Sequence, residues 1–178
     1  MNNRIGQTAK TVVFFLVGFF VLGNVSYALQ IIAGPYLQNP SESSITILWI
    51  TDKNCTSWID YGTGESLDQK AVSSQHGLID ADQRIHTIIL SGLKPGTEYR
   101  YRVSSKEILA FEAYKITFGD TVSGKVSTFT TLDSRKGTVS FIVLNDIHED
   151  NAILTGLMKI SESKPYELVF LNGDILGH

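Results

Sequence analysis

Hydrophobic and polar residues alternate in short segments from Ile31 to about Leu132, and turn-forming residues separate these segments. In one of them Ile45, Ile47 and Trp49 occupy every second position, a period that is typical of β-strands. Further strands are predicted at Ser57–Tyr61, Ile85–Leu90, Glu98–Ser104 and Lys125–Thr130. Short strands with Gly, Pro, Asn and Asp between them predict an all-β sandwich.

A Pro-Gly turn at Pro95-Gly96 leads into the clearest of these strands. Tyr99, Tyr101 and Val103 occupy every second position of this strand, so these three side chains are predicted to face the core. An inward tyrosine at the corner of a sandwich can hydrogen-bond to the backbone a few residues upstream, and Tyr99 is placed for that role. Further along, the stretch Tyr114–Phe118 is β-like and could extend a hairpin.

The pattern changes after the polar stretch Ser134–Gly137, where we place a domain boundary. Val139–Leu144 is a continuous apolar run, as expected of a strand covered on both faces, and Leu168–Leu171 is a second one. Between them, apolar residues fall at helical spacing at Ile153, Leu157 and Ile160. A strand, a helix and a strand in this order make a βαβ unit with parallel strands. The predicted domains are a β-sandwich over residues 29–133 and an incomplete α/β unit over residues 138–178.

The N-terminus has the pattern of a secretory signal peptide over residues 1–28. Arg4 and Lys10 precede an apolar run over residues 11–22, and Ser26-Tyr27-Ala28 places small residues at the positions that define a cleavage site. We therefore expect an exported protein that is periplasmic, secreted or at the cell surface. An uncleaved membrane anchor is the alternative, although the run is short of the roughly 20 residues of a membrane span. This segment is the only predicted membrane contact.

The charge balance argues against binding to nucleic acid. The net charge is −3, and without the signal segment 13 Lys and Arg residues stand against 18 Asp and Glu residues, a net charge of −5. The basic pairs at Arg100 with Arg102 and at Arg135 with Lys136 are too short to form a nucleic-acid-binding patch. Cys55 is the only cysteine, so no disulfide can form within the chain.

Potential metal ligands follow both strands of the predicted βαβ unit. Asp146 and His148 come after the first strand, and Asp174 comes after the second. The carboxyl ends of parallel strands meet at one edge of a sheet, so these side chains can converge there. If the chain stays extended, Asp146 and His148 point the same way while Ile147 turns into the core. One carboxylate can bridge two metal ions that lie about 4 Å apart, so the pattern predicts a metal centre for phosphoester chemistry.

Two parts of the chain resemble known families. Gly34-Pro35-Tyr36-Leu37-Gln38, the Trp49 strand and residues 92–103 resemble a fibronectin type III fold and, more narrowly, the N-terminal domain of purple acid phosphatases. Asp-x-His at residues 146–148 and Gly-Asp at residues 173–174 resemble the calcineurin-like metallophosphoesterases, which include purple acid phosphatases. The resemblance implies a fibronectin III-like sandwich followed by the first βαβ unit of a metallophosphoesterase domain.

The second resemblance also implies ligands and chemistry. Asp146 and His148 would bind a first metal ion and Asp174 would bridge to a second, each ion being iron, manganese or zinc. A metal-bound hydroxide would then hydrolyse a phosphate ester substrate, so the complete protein would be an acid phosphatase-like enzyme. The chain departs from the purple branch, which has glycine at the position of His148 and tyrosine at that of Gly177. We therefore expect no tyrosinate-to-iron colour.

The later motifs of that superfamily, Gly-Asn-His and Gly-His-x-His, do not occur in these 178 residues. The chain therefore resembles the N-terminal part of a longer enzyme or a truncated product, and alone it is expected to be inactive. Its catalytic residues stay unassigned, as do the substrate, the metal and the oligomeric state. A single βαβ unit would also leave its sheet edges and helix face uncovered.

Simpler interpretations exist for several of these residues. Asp146 could be only a cap or turn residue, and Asp174 part of a plain Gly-Asp turn. Glu149 and Asp150 favour the start of the following helix. Asn145 and Asn172 could orient ligands, but closing local turns is the favoured role.

The alternative function is a non-catalytic adhesive or carbohydrate-binding module at the cell surface. Trp49, Trp58 and Tyr61 could form a sugar-stacking platform, although alternating aromatic residues usually belong to the core. His76 and His86 are expected at surface or cross-strand positions of the β region. The paired strand-end motifs favour the enzyme over the binding module.

Overall fold

The computed structural model describes residues 27–148 and 150–173. In chain order its elements are β1 (Ile31–Gln38), β2 (Ser44–Gly62), β3 (Gln69–Ala71), β4 (Ser74–Gln75), β5 (Leu78–Ile79), β6 (Gln83–Ser91), β7 (Glu98–Glu112), β8 (Lys115–Ser123), β9 (Ser127–Thr130), β10 (Phe141–Asn145), α1 (Asn151–Ser161) and β11 (Leu168–Asn172). The predicted strands of the β region are all present. Within the described residues no helix is long and apolar enough to cross a membrane. The predicted signal segment lies almost wholly outside them and stays a prediction.

Seven antiparallel strands form one sheet that curls on itself around the 19-residue strand β2. The first half of β2 pairs with β1 and β6, and its second half pairs with β7 and β3. The pairing with β6 loses its regular register between Ile50 and Cys55, where the strand changes neighbours. The all-β prediction is confirmed. The strands are joined in one curled sheet, however, because β2 runs on where we expected two separate strands.

The core lies between the two layers of this curled sheet. Trp49 and Ile47 from the first half of β2 and Ile59 from its second half are all fully buried in one cluster. The indole N–H of Trp49 donates to the hydroxyl oxygen of Ser105 at 2.9 Å, which joins the two layers directly. Burial of apolar area from both layers is the main source of stability in such a fold.

Tyr99 forms the predicted corner. Its ring is buried, and the backbone N–H of Lys94 donates to its hydroxyl oxygen at 3.0 Å. The predicted hairpin extension is also present: β7 and β8 pair out to Glu112 and Lys115, with a two-residue turn between them. Ile108 is the last buried residue on this hairpin.

Strands β10 and β11 pair in parallel, from Phe141 with Leu168 to Asn145 with Asn172, and α1 connects them. Asp150 is the N-cap of α1, and its carboxylate accepts from the backbone N–H groups of Ala152 and Ile153 at 2.9 Å. The prediction that acidic residues mark this helix start is confirmed for Asp150, whereas Glu149 lies outside the described residues.

The apolar faces of this unit are largely uncovered within the described residues. Phe141 in β10, Leu171 in β11 and Ile160 in α1 are each more than half exposed. The apolar runs predicted strands that are covered on both faces. Within the described residues they are not, because one helix of 11 residues cannot shield them. Residues 131–140, which contain the predicted domain boundary, carry no helix or strand.

Candidate metal site at the strand ends

The ends of β10 and β11 lie side by side, as their parallel pairing requires. Asn145 and Asn172 are the last paired residues, and beyond them the backbone N–H of Asp146 donates to the carbonyl oxygen of Gly173 at 3.4 Å. The residue after each strand therefore starts from the same edge of the sheet. Asp174, the third predicted ligand, lies outside the described residues. Its role stays a prediction, although its chain neighbour Gly173 is beside Asp146.

Asp146 and His148 come together in a turn and not in an extended segment. The backbone φ angles are +59° at Asp146 and +50° at His148, so both residues have a left-handed backbone conformation. The expectation of an extended chain is wrong here, but Asp and His are among the residues that tolerate this conformation best. Ile147 between them is 3% exposed, as predicted. The buried side chain anchors the turn while its two polar neighbours face solvent.

The carboxylate of Asp146 and the imidazole of His148 lie close enough to share a ligand. Asp146 Oδ1 and His148 Nε2 are 2.7 Å apart, and the two side chains are 72% and 53% exposed. Carboxylate oxygen and imidazole nitrogen suit iron, manganese and zinc. Two ligands of a tetrahedral ion would stand about 3.4 Å apart, given metal–ligand distances of about 2.1 Å. Small rotations of these exposed side chains reach that separation, so the pair fits part of a metal site.

The pair is incomplete as a metal site within residues 27–148 and 150–173. No group of three or more His, Cys, Asp or Glu side chains is assembled there. Asp150 is committed to capping α1 and does not join the pair. A metal site at this pair would need at least one further ligand from outside the described residues, and Asp174 is the predicted one.

The side chains of Asn145 and Asn172 meet at the last paired residues of β10 and β11. The amide N–H of Asn172 donates to the amide oxygen of Asn145 at 2.7 Å, across the last rung of the parallel ladder. The sequence left two roles open for these residues. Their mutual hydrogen bond joins the two strands and is not confined to one local turn.

The proposed sugar platform is not assembled. Trp49 is fully buried, and the ring of Trp58 is covered on one side by the Lys70 ammonium at 4.8 Å from its centroid. Tyr61 packs toward the core, with its ring centroid 6.4 Å from that of Tyr99. The three aromatic residues therefore do not share one exposed face, and the observation that motivated a carbohydrate-binding module is absent from the described residues.

Comparison with known proteins identifies the family. The family described as purple acid phosphatase, N-terminal domain, matches residues 34–131, which is more than half of the chain. The chain therefore belongs to this family. The expected likeness to purple acid phosphatases with an N-terminal domain is confirmed.

A solved structure supports the same fold. A purple acid phosphatase isolated from yellow lupin (Lupinus luteus) seeds superposes with a TM-score of 0.55 at 16% sequence identity. The match covers 78% of this chain and 28% of the lupin chain. The chain thus corresponds to less than a third of the length of that protein. No curated protein matches this chain.

Proposed function

We propose that this chain is the N-terminal part of an exported, metal-dependent phosphoesterase that hydrolyses phosphate esters at a centre of two metal ions. The proposal depends on one observation above all: Asp146 and His148 meet at the end of β10, beside the residue that precedes Asp174. The family of the β region supports it, since that domain is named for purple acid phosphatases.

In this proposal each residue has a separate task. Asp146 and His148 would hold the first ion, and Asp174 would be shared with the second. The identity of both ions among iron, manganese and zinc is open. The ions, when bound, polarise the phosphoryl oxygens and stabilise the negative charge of the leaving oxygen. The buried side chain of Ile147 anchors the turn, and the exposed positions of Asp146 and His148 leave the site open to a phosphate ester.

The N-terminal residues are consistent with export. Tyr27 is 74% exposed and Ala28 is exposed, whereas Leu29 is buried at 5% exposure. The backbone N–H of Gln30 then donates to the carboxylate of Asp52 at 2.8 Å. Cleavage after Ala28 would leave Leu29, the first buried residue of the described part of the chain, at the new N-terminus. Mass spectrometry of the exported protein should find Leu29 first, and an intact segment 1–28 would contradict cleavage.

The test of the activity is an assay on a protein extended past His178. The reading frame is first searched for Gly-Asn-His and Gly-His-x-His, and the extended protein is then assayed on an aryl phosphate with and without a chelator. We expect hydrolysis that the chelator abolishes, and weak or no hydrolysis from residues 1–178 alone. Asp146→Ala should abolish activity, whereas Asp120→Ala, at an exposed site on β8, should not. Chelator-insensitive hydrolysis, or none, would reject the proposal.

The metal-loaded extended protein should also lack a strong visible charge-transfer band. Gly177 stands where purple enzymes have their tyrosine, so no phenolate is available at that position. An imidazole from His148 would take its place on the first ion. A strong visible charge-transfer band in the metal-loaded extended protein would refute this ligand assignment.

A further inference from the structure

The hydrogen bond between Asn145 and Asn172 is the one side-chain hydrogen bond that joins β10 and β11 within the described residues. The two asparagines are paired in the parallel register, so their side chains leave the same face of the sheet. At 2.7 Å the contact is at the short end of the range for an N–H···O hydrogen bond. Both residues are exposed, so neither is held by packing. The orientation of the two side-chain amides therefore depends largely on the hydrogen bond between them.

Both chains leave the ladder directly after this pair. Asp146 has a φ of +59° and Gly173 a φ of +65°, so each strand turns into the left-handed region one residue beyond its asparagine. The backbone contact between these two residues, 3.4 Å from N to O, is longer than an ordinary hydrogen bond. The asparagine pair is therefore the last firm connection before the ligand-bearing turns.

We propose that Asn145 and Asn172 form a clasp that positions Asp146 and His148 for metal binding. The inference rests on the proposed function, since it concerns the same ligands. An amide pair fixes the separation of the two strand ends without adding charge. Residues that orient metal ligands typically change metal affinity by about 10-fold or more when removed.

The clasp predicts a different result from a purely structural hydrogen bond. A structural bond stabilises the βαβ unit but leaves the affinity of the folded protein unchanged. A positioning bond changes the affinity and the ligand geometry even when the protein stays folded. The two asparagines should also act as a unit, because either amide alone makes no connection between the strands.

The experiment titrates Co²⁺ into the protein extended past His178, which is the parent chain here, and into its variants. Visible absorption reports the ligand geometry, and competition with a chromophoric chelator reports the affinity. Asn145→Ala and Asn172→Ala should each weaken Co²⁺ binding by about 10-fold, and the double variant should be no weaker than the single ones. Asn54→Ala is the matched control, because it removes an asparagine side-chain hydrogen bond, to Asp82, in the curled sheet. It should bind Co²⁺ like the parent chain.

The outcomes separate the clasp from the proposed function. If the parent chain does not bind Co²⁺, or if Asp146→Ala binds it equally well, the metal site itself fails. If the parent chain binds and the alanine variants bind equally well with the same spectrum, the clasp is overturned while the metal site stands. Amide hydrogen exchange in β10 and β11 shows whether each variant is folded.

A further variant covers the case in which the alanine variants unfold. Asn145→Asp keeps an acceptor oxygen for the Asn172 amide and adds a negative charge beside the site. Both effects predict Co²⁺ affinity at least equal to that of the parent chain. A 10-fold loss of affinity in folded Asn145→Asp would overturn the clasp, because neither a kept hydrogen bond nor an added negative charge weakens cation binding.

Discussion

Replacing Tyr99 by phenylalanine isolates one hydrogen bond in the curled sheet. The Tyr99 ring is 4% exposed and stacks on Phe129 with ring centroids 5.5 Å apart, and phenylalanine keeps these contacts. What is lost is the hydroxyl oxygen that accepts from the Lys94 backbone N–H at 3.0 Å. The variant therefore tests whether this contact holds the turn before β7.

The expected loss follows from the fate of the Lys94 N–H. An ordinary hydrogen bond contributes about 1 kcal/mol net, and a donor left unsatisfied in a part-buried position costs about 1–3 kcal/mol. Two hydrogen bonds keep the turn from relaxing toward water, because the Thr131 hydroxyl donates to the Lys94 carbonyl at 2.6 Å and accepts from the Thr97 N–H at 3.0 Å. We expect a loss of about 2 kcal/mol, or on the order of 10 °C in Tm for a domain of this size.

Urea unfolding followed by tryptophan fluorescence measures this loss, since Trp49 is fully buried in the same core. Tyr61→Phe is the matched control, because its hydroxyl has no hydrogen-bond partner in the described part of the chain. Its free energy of unfolding should change by less than about 0.5 kcal/mol. If Tyr99→Phe loses no more than Tyr61→Phe at an unchanged m-value, the hydrogen bond does not hold the turn.

Three further perturbations test other parts of the fold. Burial lowers the pKa of His86 from 6.5 to about 4, so on acidification the unfolded state binds the proton before the folded state does. The free energy of unfolding is therefore full above pH 6.5 and falls by up to about 3 kcal/mol as the pH drops toward 4. Urea unfolding at a series of pH values measures this loss. Asp150→Ala removes the N-cap of α1 and should cost about 1 kcal/mol, seen as faster amide exchange in that helix alone. Gly34→Ala should lower Tm strongly, because Gly34 has a φ of +86° and an added Cβ would lie 2.7 Å from the Leu48 carbonyl oxygen.

Each of these has a matched control. His86→Leu should remove the loss of stability at acid pH, whereas His76→Ala, at an exposed site, should keep it. If the free energy of unfolding has the same pH dependence in both variants, His86 is not the cause. Asp120→Ala should leave the exchange of α1 unchanged. Gly92→Ala shares a positive φ, +71°, but its Cβ would meet nothing within 4 Å, so its loss of Tm should be smaller. An equal loss of Tm at Gly34 and Gly92 would mean that the close approach of Gly34 to the β2 backbone does not contribute to the loss.

The positions of the β-strands could be predicted because alternation and turn residues are local signals. The continuity of β2 could not be, since Thr51-Asp52-Lys53-Asn54 has the composition of a turn. Distant contacts override that local preference: the Asp52 N–H donates to the Gln30 carbonyl at 3.1 Å, and the Arg84 side chain donates to the Thr51 carbonyl at 3.2 Å. These partners lie far away in sequence, so the local residue pattern cannot predict these contacts.

His86 shows the same limit on a strand with apolar residues on both faces. Ile85 and Ile89 in β6 are more than half exposed, whereas His86 is 4% exposed and lies 2.9 Å from the Thr51 hydroxyl. The prediction offered a surface or a cross-strand position, and the cross-strand one is confirmed, since His86 pairs with Trp49 across β6 and β2. The surface alternative is wrong, because His86 lies on the buried face of β6. The neighbouring Trp49 ring, 5.2 Å from the His86 ring, decides which face is the core.

At the strand ends, the topology was predictable and the backbone conformation was not. Parallel strands bring residues 146 and 173 together by construction, and the structure has that pairing. The left-handed turns at Asp146 and His148 depend on how Ile147 is buried and on how β11 ends, which are tertiary facts. The sequence therefore predicted that Asp146 and His148 lie close together, but it predicted this from an extended chain and not from the turn that is present.

The turn at Asp146 and His148 also allows a test of cation binding that does not depend on activity. A left-handed backbone costs a non-glycine residue roughly 1 kcal/mol, and there are two such residues here. The Asp146–His148 contact is solvent-exposed, so it offsets at most about 1 kcal/mol of that strain. A cation that binds only the folded turn would add stability of about 2.7 kcal/mol at a concentration 100 times its Kd. Amide exchange in β10 and β11 should therefore slow when Co²⁺ is added to the parent chain and stay unchanged in Asp146→Ala, and equal slowing in both would show that the strained turn is not the binding site.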